Sequence, residues 1–259
     1  MRKNDCDQKP AHSVQRINLQ YPLSVFTLLI FLVAFFFVCR PSLPVAEIRP
    51  DVIPASIPEG LTVGGIITFG AYEQDNDQDN GPEPIEWQVL AVENDRALLI
   101  SRYALDAIPY NLNWIRRTWE FCSLRKWLNG EFYTRAFTPG EQARILTVTN
   151  KNPDHPITGI KGGNDTKDRV FLLTIDEAKN YFASDEARRC RATAYAKANG
   201  SYVNEYNGSS WYWLRSRGAY SMTGSLVLFS GYVNTVGYGI NNTGGYVRPA
   251  MWLNLENGS

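Results

Sequence analysis

The sequence predicts an α+β domain, because strand patterns, then helix patterns, then strand patterns again follow one another along the chain. The first strand block covers residues 63–101, the helical block residues 118–195 and the final strand block residues 211–253. A βαβ fold would alternate the two patterns instead. No repeat of fixed period is visible, which argues against a solenoid or a propeller.

The composition fits one globular domain with an added N-terminal segment. The 259 residues include 26 basic and 26 acidic side chains, so net charge gives no reason to expect nucleic acid or an anionic membrane surface as a partner. Hydrophobic residues make up 44% of the chain, which is ample for a core. We therefore predict no nucleic-acid partner.

The N-terminal segment predicts a membrane anchor. Residues 23–39 form an uncharged apolar run whose length lies between a signal-peptide core and a full membrane span. The preceding residues 1–22 carry more basic than acidic side chains, so the positive-inside bias places this tail in the cytoplasm and the rest of the chain outside. A cleaved signal peptide is the alternative, although Arg40 and Pro41 follow the run at once.

A proline-rich linker follows the predicted anchor. Residues 40–60 include Pro41, Pro44, Pro50, Pro54 and Pro58 and show little periodicity. Such a stretch is typical of a semi-rigid, extended spacer. We expect it to hold a folded extracytoplasmic domain, residues 61–259, away from the bilayer.

Three strands open the predicted domain. Their apolar and β-branched residues lie at residues 63–70, 85–92 and 97–101.

The loop between the first two strands is rich in acidic residues. Asp75, Asp77 and Asp79 alternate, and Glu86 stands at the twelfth place, as in a calcium-binding loop. Asn80 occupies the sixth place, where such a loop needs glycine, and strands flank it instead of helices. We favour an exposed turn and predict no metal site.

Each predicted helix has its own start signal. A threonine can cap a helix over residues 118–128, whose apolar residues form one stripe. Thr138 and Thr174 each stand three residues before a glutamate, which predicts a capping box at both positions. A serine can cap a further helix over residues 184–195, and residues 149–167 predict a long loop.

The final block is organised around residues 217–247. Between Arg217 and Arg248 there is no Lys, Arg, Asp or Glu, although charged residues make up 20% of the chain. The segment mixes Gly, Ser, Asn, Thr and Tyr with aliphatic residues, which is typical of short twisted strands joined by tight turns. Two tryptophan-bearing strands border it, and we predict that Trp213 and Trp252 hold one rigid frame together.

The bordering strands resemble the signature of a known family. Residues 211–216 read WYWLRS and residues 247–253 read VRPAMWL. This pattern resembles a bacterial domain family of unknown function with a WWLRSPG-like strand, a variable middle and a closing VRPALW-like strand. The stretch LRKWLN at residues 124–129 is also similar, and the resemblance covers residues 63–253. Arg217 is a departure, because the family usually has proline there.

The resemblance implies a C-type-lectin-like fold, with helices packed on short antiparallel strands, as in the formylglycine-generating (sulfatase-modifying) enzymes. Some relatives are variable proteins of diversity-generating retroelements, which mutate adenines in Asn-type codons. Residues 225–246 lack Lys, Glu, Gln, Met and Trp, which that mutagenesis cannot produce. A plain β-meander with Gly-Asn turns explains the same composition equally well.

Residues suited to catalysis are sparse. His12 and His155 are the only histidines, so no histidine-based general base or zinc cluster can be assembled, and we expect His155 to be solvated in its loop. Cys122 and Cys190, both on predicted helices, could form a disulfide outside the cell or stay free. The formylglycine-generating enzymes use a late cysteine pair, and no cysteine follows Cys190. We predict no catalytic residue and no cofactor; an oxidase relative with residual or altered catalysis is the alternative.

The predicted function is ligand binding by a membrane-anchored, surface-displayed module whose segment 217–247 recognises a protein or a glycan. Apolar residues between the turn glycines should face inward, namely Val227, Val233, Ile240 and Val247. The side chains between them should be exposed and form the ligand face, because an exposed aromatic patch costs solubility unless something binds there. The predicted ligand-binding residues are Tyr220, Ser225, Leu226, Leu228, Phe229, Tyr232, Asn234, Val236, Tyr238, Asn241, Asn242 and Tyr246.

Overall fold

The computed structural model describes residues 60–200 and 203–256. The predicted cytoplasmic tail, the membrane anchor and all but the last residue of the linker lie outside these residues. None of the helices in the described part of the chain combines the length and the apolar character that a membrane span needs.

The described residues form an α+β domain with mostly antiparallel sheets and few helices, as predicted. Strands make up two five-stranded sheets and two smaller strand pairs. In chain order the strands are β1 (Ile66–Tyr72), β2 (Glu83–Glu93), β3 (Arg96–Ser101), β4 (Asp106–Ala107), β5 (Val148–Asn150), β6 (Thr166–Asp168), β7 (Val170–Phe171), β8 (Cys190–Arg191), β9 (Ser209–Ser210), β10 (Tyr212–Arg217), β11 (Thr223–Val227), β12 (Val233–Gly239), β13 (Tyr246–Val247) and β14 (Ala250–Asn254).

The two large sheets differ in how their strands are ordered. The first sheet has the order β1-β2-β3-β14-β7 and is antiparallel throughout. Along β2 the buried residues Ile85, Trp87 and Val89 alternate with more exposed ones, as a half-buried strand requires. The second sheet has the order β12-β11-β10-β13-β4, and only β10 and β13 run parallel. Every residue of its central strand β10 is buried.

The helices are short and lie mainly between the two strand blocks. They are α1 (Ser123–Trp127), α2 (Tyr133–Ala136), α3 (Pro139–Arg144), α4 (Ile175–Asn180), α5 (Asp185–Arg188) and α6 (Ala194–Asn199). Both predicted capping boxes are present, between Thr138 and Glu141 at α3 and between Thr174 and Glu177 at α4. The neighbouring residues were enough to predict both capping boxes, because each box satisfies backbone groups of its own helix.

Two helix predictions were wrong in extent. Ser184 does cap a helix, but α5 ends at Arg188, and the chain then forms β8 and α6. The buried Arg188 guanidinium donates to the carbonyl of Gly231, and β8 pairs with β9, so tertiary contacts replace the expected helix. The single helix predicted over residues 118–128 is divided into a 3₁₀ turn (Trp119–Phe121) and α1. A π-helical turn follows α1.

The closing segment, residues 247–253, was predicted as one strand, and the structure divides it between two strands. Tyr246 and Val247 form β13 beside β10 in the second sheet, whereas residues 250–254 form β14 in the first. Trp213 and Trp252 therefore lie in different sheets, and the single frame predicted for them is wrong. Trp213 is fully buried, while Trp252 is half-buried under the Arg96 guanidinium, which lies 4.3 Å from the ring centroid.

Arg215, in the WYWLRS stretch, joins the two sheets from inside. Its guanidinium is buried and makes a two-point ion pair with Glu177, with Nη1 2.6 Å from Oε2 and Nη2 2.7 Å from Oε1. Nη1 also donates to the carbonyl of Leu172 at 2.6 Å, just after β7. Because the same Glu177 completes the capping box of α4, a single side chain connects β10, α4 and the end of β7.

Arg217, two residues further on, is buried without such a partner. Its Nη2 donates to the carbonyl of Ser221, but Nε and Nη1 have no hydrogen-bond partner. Burial lowers the pKa of this guanidinium. A buried donor that is left unpaired costs free energy. Arg217 leaves two such donors and has no counter-ion among the described residues, whereas Arg215 leaves only Nε unpaired and is paired with Glu177.

We expect Arg215→Met to lower the free energy of unfolding by about 3 kcal/mol, because it leaves a largely covered carboxylate without its cation. The matched substitution Arg217→Met should leave stability unchanged or raise it by about 1 kcal/mol, because it removes unpaired buried donors. Urea denaturation of both purified variants, followed by tryptophan fluorescence, measures the difference. Equal destabilisation by the two substitutions would contradict the assignment.

Candidate functional site

The candidate site is the hairpin formed by β11, β12 and the turn 228–232. β12 is the edge strand of the second sheet, so its side chains can reach solvent. The residues predicted to face inward are all buried, which confirms that part of the pattern. They are Val227, Val233, Ile240 and Val247.

A bulge distorts β12 in its middle. Leu226 pairs with Asn234 and Gly224 with Tyr238, so β12 uses two more residues than β11 over the same stretch. The Asn234 side chain accepts a hydrogen bond from the Gly237 amide at 3.0 Å, and Gly237 has a positive φ of 87°. Bulges re-aim side chains, and this one leaves the Val236 side chain exposed.

Half of the predicted ligand-binding residues are exposed. Tyr220 is 65% exposed, Tyr232 59%, Val236 53% and Tyr238 38%. Asn241 and Asn242 are exposed in the turn after β12. We call these six residues the hairpin surface. Leu228, Phe229 and Asn234 are half-buried beside it.

Three of the predicted ligand-binding residues are interior, and their predicted exposure was wrong. Ser225 donates from Oγ to the carbonyl of Arg217 at 2.7 Å, and Leu226 lies opposite Trp213. Tyr246 lies in β13 between β10 and β4. All are fully buried, because β11 and β13 are inner strands with both faces covered, where alternation no longer marks an exposed side.

The hairpin surface is extended. Tyr232 is the last residue of the turn at one end of the hairpin, whereas Tyr220 and Asn241 belong to turns at the other end. At about 3.3 Å per residue, Tyr232 and Tyr238 are separated by roughly 15 to 20 Å along the strand. This spacing suits a ligand that lies across a surface better than a ligand enclosed in a pocket.

Tyr238 is supported from below by an aromatic pair. Its ring lies edge-on to Trp211 with centroids 5.1 Å apart, and Trp211 lies edge-on to Trp213 at 4.9 Å. Both tryptophans are buried. Edge-to-face contacts of this kind restrict ring orientation, so Tyr238 is presented in a defined direction.

Sequence reasoning missed a second strip of exposed apolar side chains next to the hairpin. Leu112, Trp114 and Ile115 are exposed in the loop before α1. The Trp114 ring lies against Gly239, where an added Cβ would be 2.8 Å from the ring. The backbone amide of Asn111 donates to the carbonyl of Ile240 at 2.8 Å. No periodicity marks these residues, so only the tertiary contact with β12 reveals them.

His155 was expected to be solvated and is buried. Its Nδ1 accepts hydrogen bonds from the amides of Ile157 and Thr158, so Nε2 carries the proton and donates to the carbonyl of Thr235 at 2.9 Å. The histidine thereby fixes its loop against β12 at the bulge. Both ring nitrogens are engaged in hydrogen bonds, so His155 has a structural role beside the site.

The two cysteines of the described chain are free, so the disulfide considered for them is not formed. Cys122 is the N-cap of α1, where its sulfur accepts from the Arg125 amide at 3.4 Å. Cys190 begins β8, not a helix, and its thiol donates to the Arg102 carbonyl at 3.7 Å. Burial raises the pKa of the Cys122 thiol to about 12 and also raises the pKa of Cys190.

The acidic loop forms an exposed turn, as predicted. The Asp77 amide donates to the Asp75 side chain at 2.8 Å, and the Asn80 side-chain amide donates to the same carboxylate. Glu73, Asp75 and Glu83 each offer a carboxylate oxygen, and these oxygens lie within 4.8 Å of one another, as a divalent cation would require. The loop is ordered by its own hydrogen bonds, whereas Glu73 is buried and its Oε1 has no hydrogen-bond partner among the described residues.

The comparisons with known proteins identify a family and nothing further. The family DUF6273, a domain of unknown function, matches residues 94–255, more than half of the chain. No curated protein and no solved structure matches. The matched region begins just before β3 and contains the hairpin surface and the buried arginines, while β1 and β2 precede it.

We expect neither Cys122 nor Cys190 to react with iodoacetamide at pH 8 in the folded protein. A thiol with a pKa of about 12 is almost entirely protonated at that pH, and the thiolate is the reactive form. Peptide mass mapping should find both residues alkylated only after denaturation in guanidinium chloride. Rapid native labelling of either residue would show that its sulfur is accessible and ionised.

Proposed function

The chain belongs to the DUF6273 family, and from that premise we propose that it is a non-catalytic, membrane-anchored binding module that uses its hairpin surface to recognise a protein or a glycan. One observation carries the proposal: large apolar and aromatic side chains are exposed together along an edge strand whose backbone is fixed by buried contacts.

Exposed aromatic side chains on a rigid strand favour binding. Tyr232 and Tyr238 offer large contact areas at a low cost in side-chain entropy, and Asn241 and Asn242 can supply adaptable hydrogen bonds. Trp114 extends the apolar area beyond the hairpin. A monomeric protein seldom exposes such a group without a partner that covers it.

The environment of the nucleophilic side chains supports a non-catalytic role over the oxidase alternative. Cys122 and Cys190 are buried with raised pKa values, and His155 uses both ring nitrogens to hold its loop. None of these three residues belongs to the hairpin surface. The features of the described residues that suit recognition are thus separate from those that suit nucleophilic chemistry.

The finer assignments also rest on the family resemblance. An α+β domain of small antiparallel sheets with short helices is compatible with a C-type-lectin-like fold. In the signature stretches, Arg215 and Arg248 are buried, while residues between them reach solvent. A fixed frame around replaceable outward side chains is what a retroelement-diversified protein requires. Residues 23–39 remain the basis for proposing a membrane anchor and an extracytoplasmic domain.

Alanine at Tyr232 or Tyr238 should weaken ligand binding about tenfold or more, as expected for aromatic residues central to an interface. Fluorescently labelled protein would be titrated against whole bacterial cells and a panel of immobilised polysaccharides. Tyr206→Ala is the matched control, because Tyr206 is 99% exposed and lies outside the hairpin surface. Undiminished binding by both hairpin variants, or an equal loss with Tyr206→Ala, would remove support for this surface.

The proposed origin of the segment has a separate test. If a retroelement diversifies residues 217–247, the neighbouring DNA should contain a reverse-transcriptase gene and a near-identical template repeat. Differences between the template and the coding copy should occur at template adenines and encode outward side chains such as Tyr232, Val236 and Tyr238. Absence of a repeat from the complete surrounding sequence would leave the plain β-meander as the explanation of the composition.

A further inference from the structure

A cleft outside the hairpin surface is lined by arginines. Its volume is about 510 Å³, and Arg102, Arg189, Arg191 and Arg248 contribute to its walls. They come from the end of β3, from β8 and the residue before it, and from the crossing between β13 and β14. None of the six residues of the hairpin surface lines this cleft.

Carboxylates neutralise only part of this positive charge. Arg102 pairs with Glu86 at 2.9 Å, and Arg189 pairs with Glu186 at 3.2 Å. Both of these pairs are substantially exposed, so each contributes little. Arg189 is also held by its Nε, which donates to the carbonyl of Ser230 at 3.2 Å. Arg191 and Arg248 form no ion pair with a carboxylate in the described part of the chain. The cleft therefore keeps two uncompensated positive charges.

Arg248 is the decisive residue, because it is only 3% exposed. Its Nε donates to the carbonyl of Ser101 at 2.9 Å, and its Nη1 donates to the carbonyl of Arg188 at 3.2 Å and contacts the Tyr212 hydroxyl at 3.3 Å. All of these acceptors are neutral, and Nη2 has no hydrogen bond to a described residue. The guanidinium also lies 5.3 Å from the ring centroids of Phe182 and Tyr212, and these rings offset part of the cost of its burial. Both rings are uncharged, so an anion at Nη2 would supply the counter-charge that the described residues do not.

The neutral groups of the cleft suit the remainder of a small polar ligand. Tyr103 provides an aromatic ring, and Gln88, Asn207 and Ser209 provide amide and hydroxyl groups on the same walls. Pockets of a few hundred cubic ångströms hold small molecules, and a few placed polar groups orient them. Arginine is the residue best shaped to bind the two oxygens of a carboxylate, sulfate or phosphate together.

We propose that this arginine cleft binds the oxyanion group of a small anionic ligand, a carboxylate, sulfate or phosphate, between Arg191 and Arg248. The site is distinct from the hairpin surface, so the domain presents two separate binding positions. The inference does not depend on what the hairpin surface recognises.

The test uses isothermal titration calorimetry of the purified protein at constant ionic strength. The probes are sodium sulfate, sodium phosphate, sodium acetate and sodium galacturonate, with sodium chloride and galactose as the reference titrants. At least one oxyanion should bind saturably with a one-to-one stoichiometry. Tighter binding of galacturonate than of acetate identifies a sugar acid as the source of the carboxylate, and preference for sulfate or phosphate identifies an inorganic or ester anion.

Arg191→Gln should weaken that binding about tenfold, because it removes one charge-assisted contact at an exposed position. Arg169→Gln is the matched control, since it removes the same charge from another exposed arginine outside the cleft and should leave affinity nearly unchanged. No saturable binding of any oxyanion, or equal weakening by both substitutions, would overturn the proposal.

Discussion

The ion pair between Arg215 and Glu177 is the constraint on which the rest of the structure depends. It places a guanidinium between the two sheets, where the cost of burying the charge is offset by two charge-assisted contacts and by the carbonyl of Leu172. Since Glu177 also caps α4, the register of β10, the start of α4 and the end of β7 are set together. A shift in the position of any one of these elements would leave a charge buried without its partner.

The arginines of the two signature stretches stabilise the buried framework from which the hairpin surface projects. Arg215 and Arg248 are buried and bind main-chain carbonyls in neighbouring elements. Side chains of Tyr232, at the end of the hairpin turn, and of Val236 and Tyr238, on the edge strand β12, are exposed to solvent between them. Substitution on the outward side changes little of the core, which is what the proposed variable binding surface requires.

Local signals in the sequence predicted local structure well, and tertiary contacts decided the rest. Neighbouring residues alone were enough to predict several features. These are the capping boxes at Thr138 and Thr174, the first three strands and the inward-facing valines. The division of the closing strand at Arg248 and the hydrogen bonds of His155 depend on partners far along the chain, and Ser225 is buried because its strand β11 lies between β10 and β12. The prediction that side chains between the inward residues are exposed is correct for Val236 and Tyr238 on the edge strand β12. It fails for Ser225 and Leu226 on β11, because an inner strand is covered on both faces.

The hairpin combines a fixed backbone with replaceable side chains. Arg188 and Arg189 donate to the carbonyls of Gly231 and Ser230, which ties the turn to α5 and its C-terminal end. Gly231 has a positive φ of 88°, and an added Cβ would overlap the Asp185 carbonyl, so the turn accepts only glycine there. Tyr232 next to it is nonetheless exposed. The hairpin backbone is therefore fixed by contacts within the domain, and in the proposed binding role only side chains would need to be ordered.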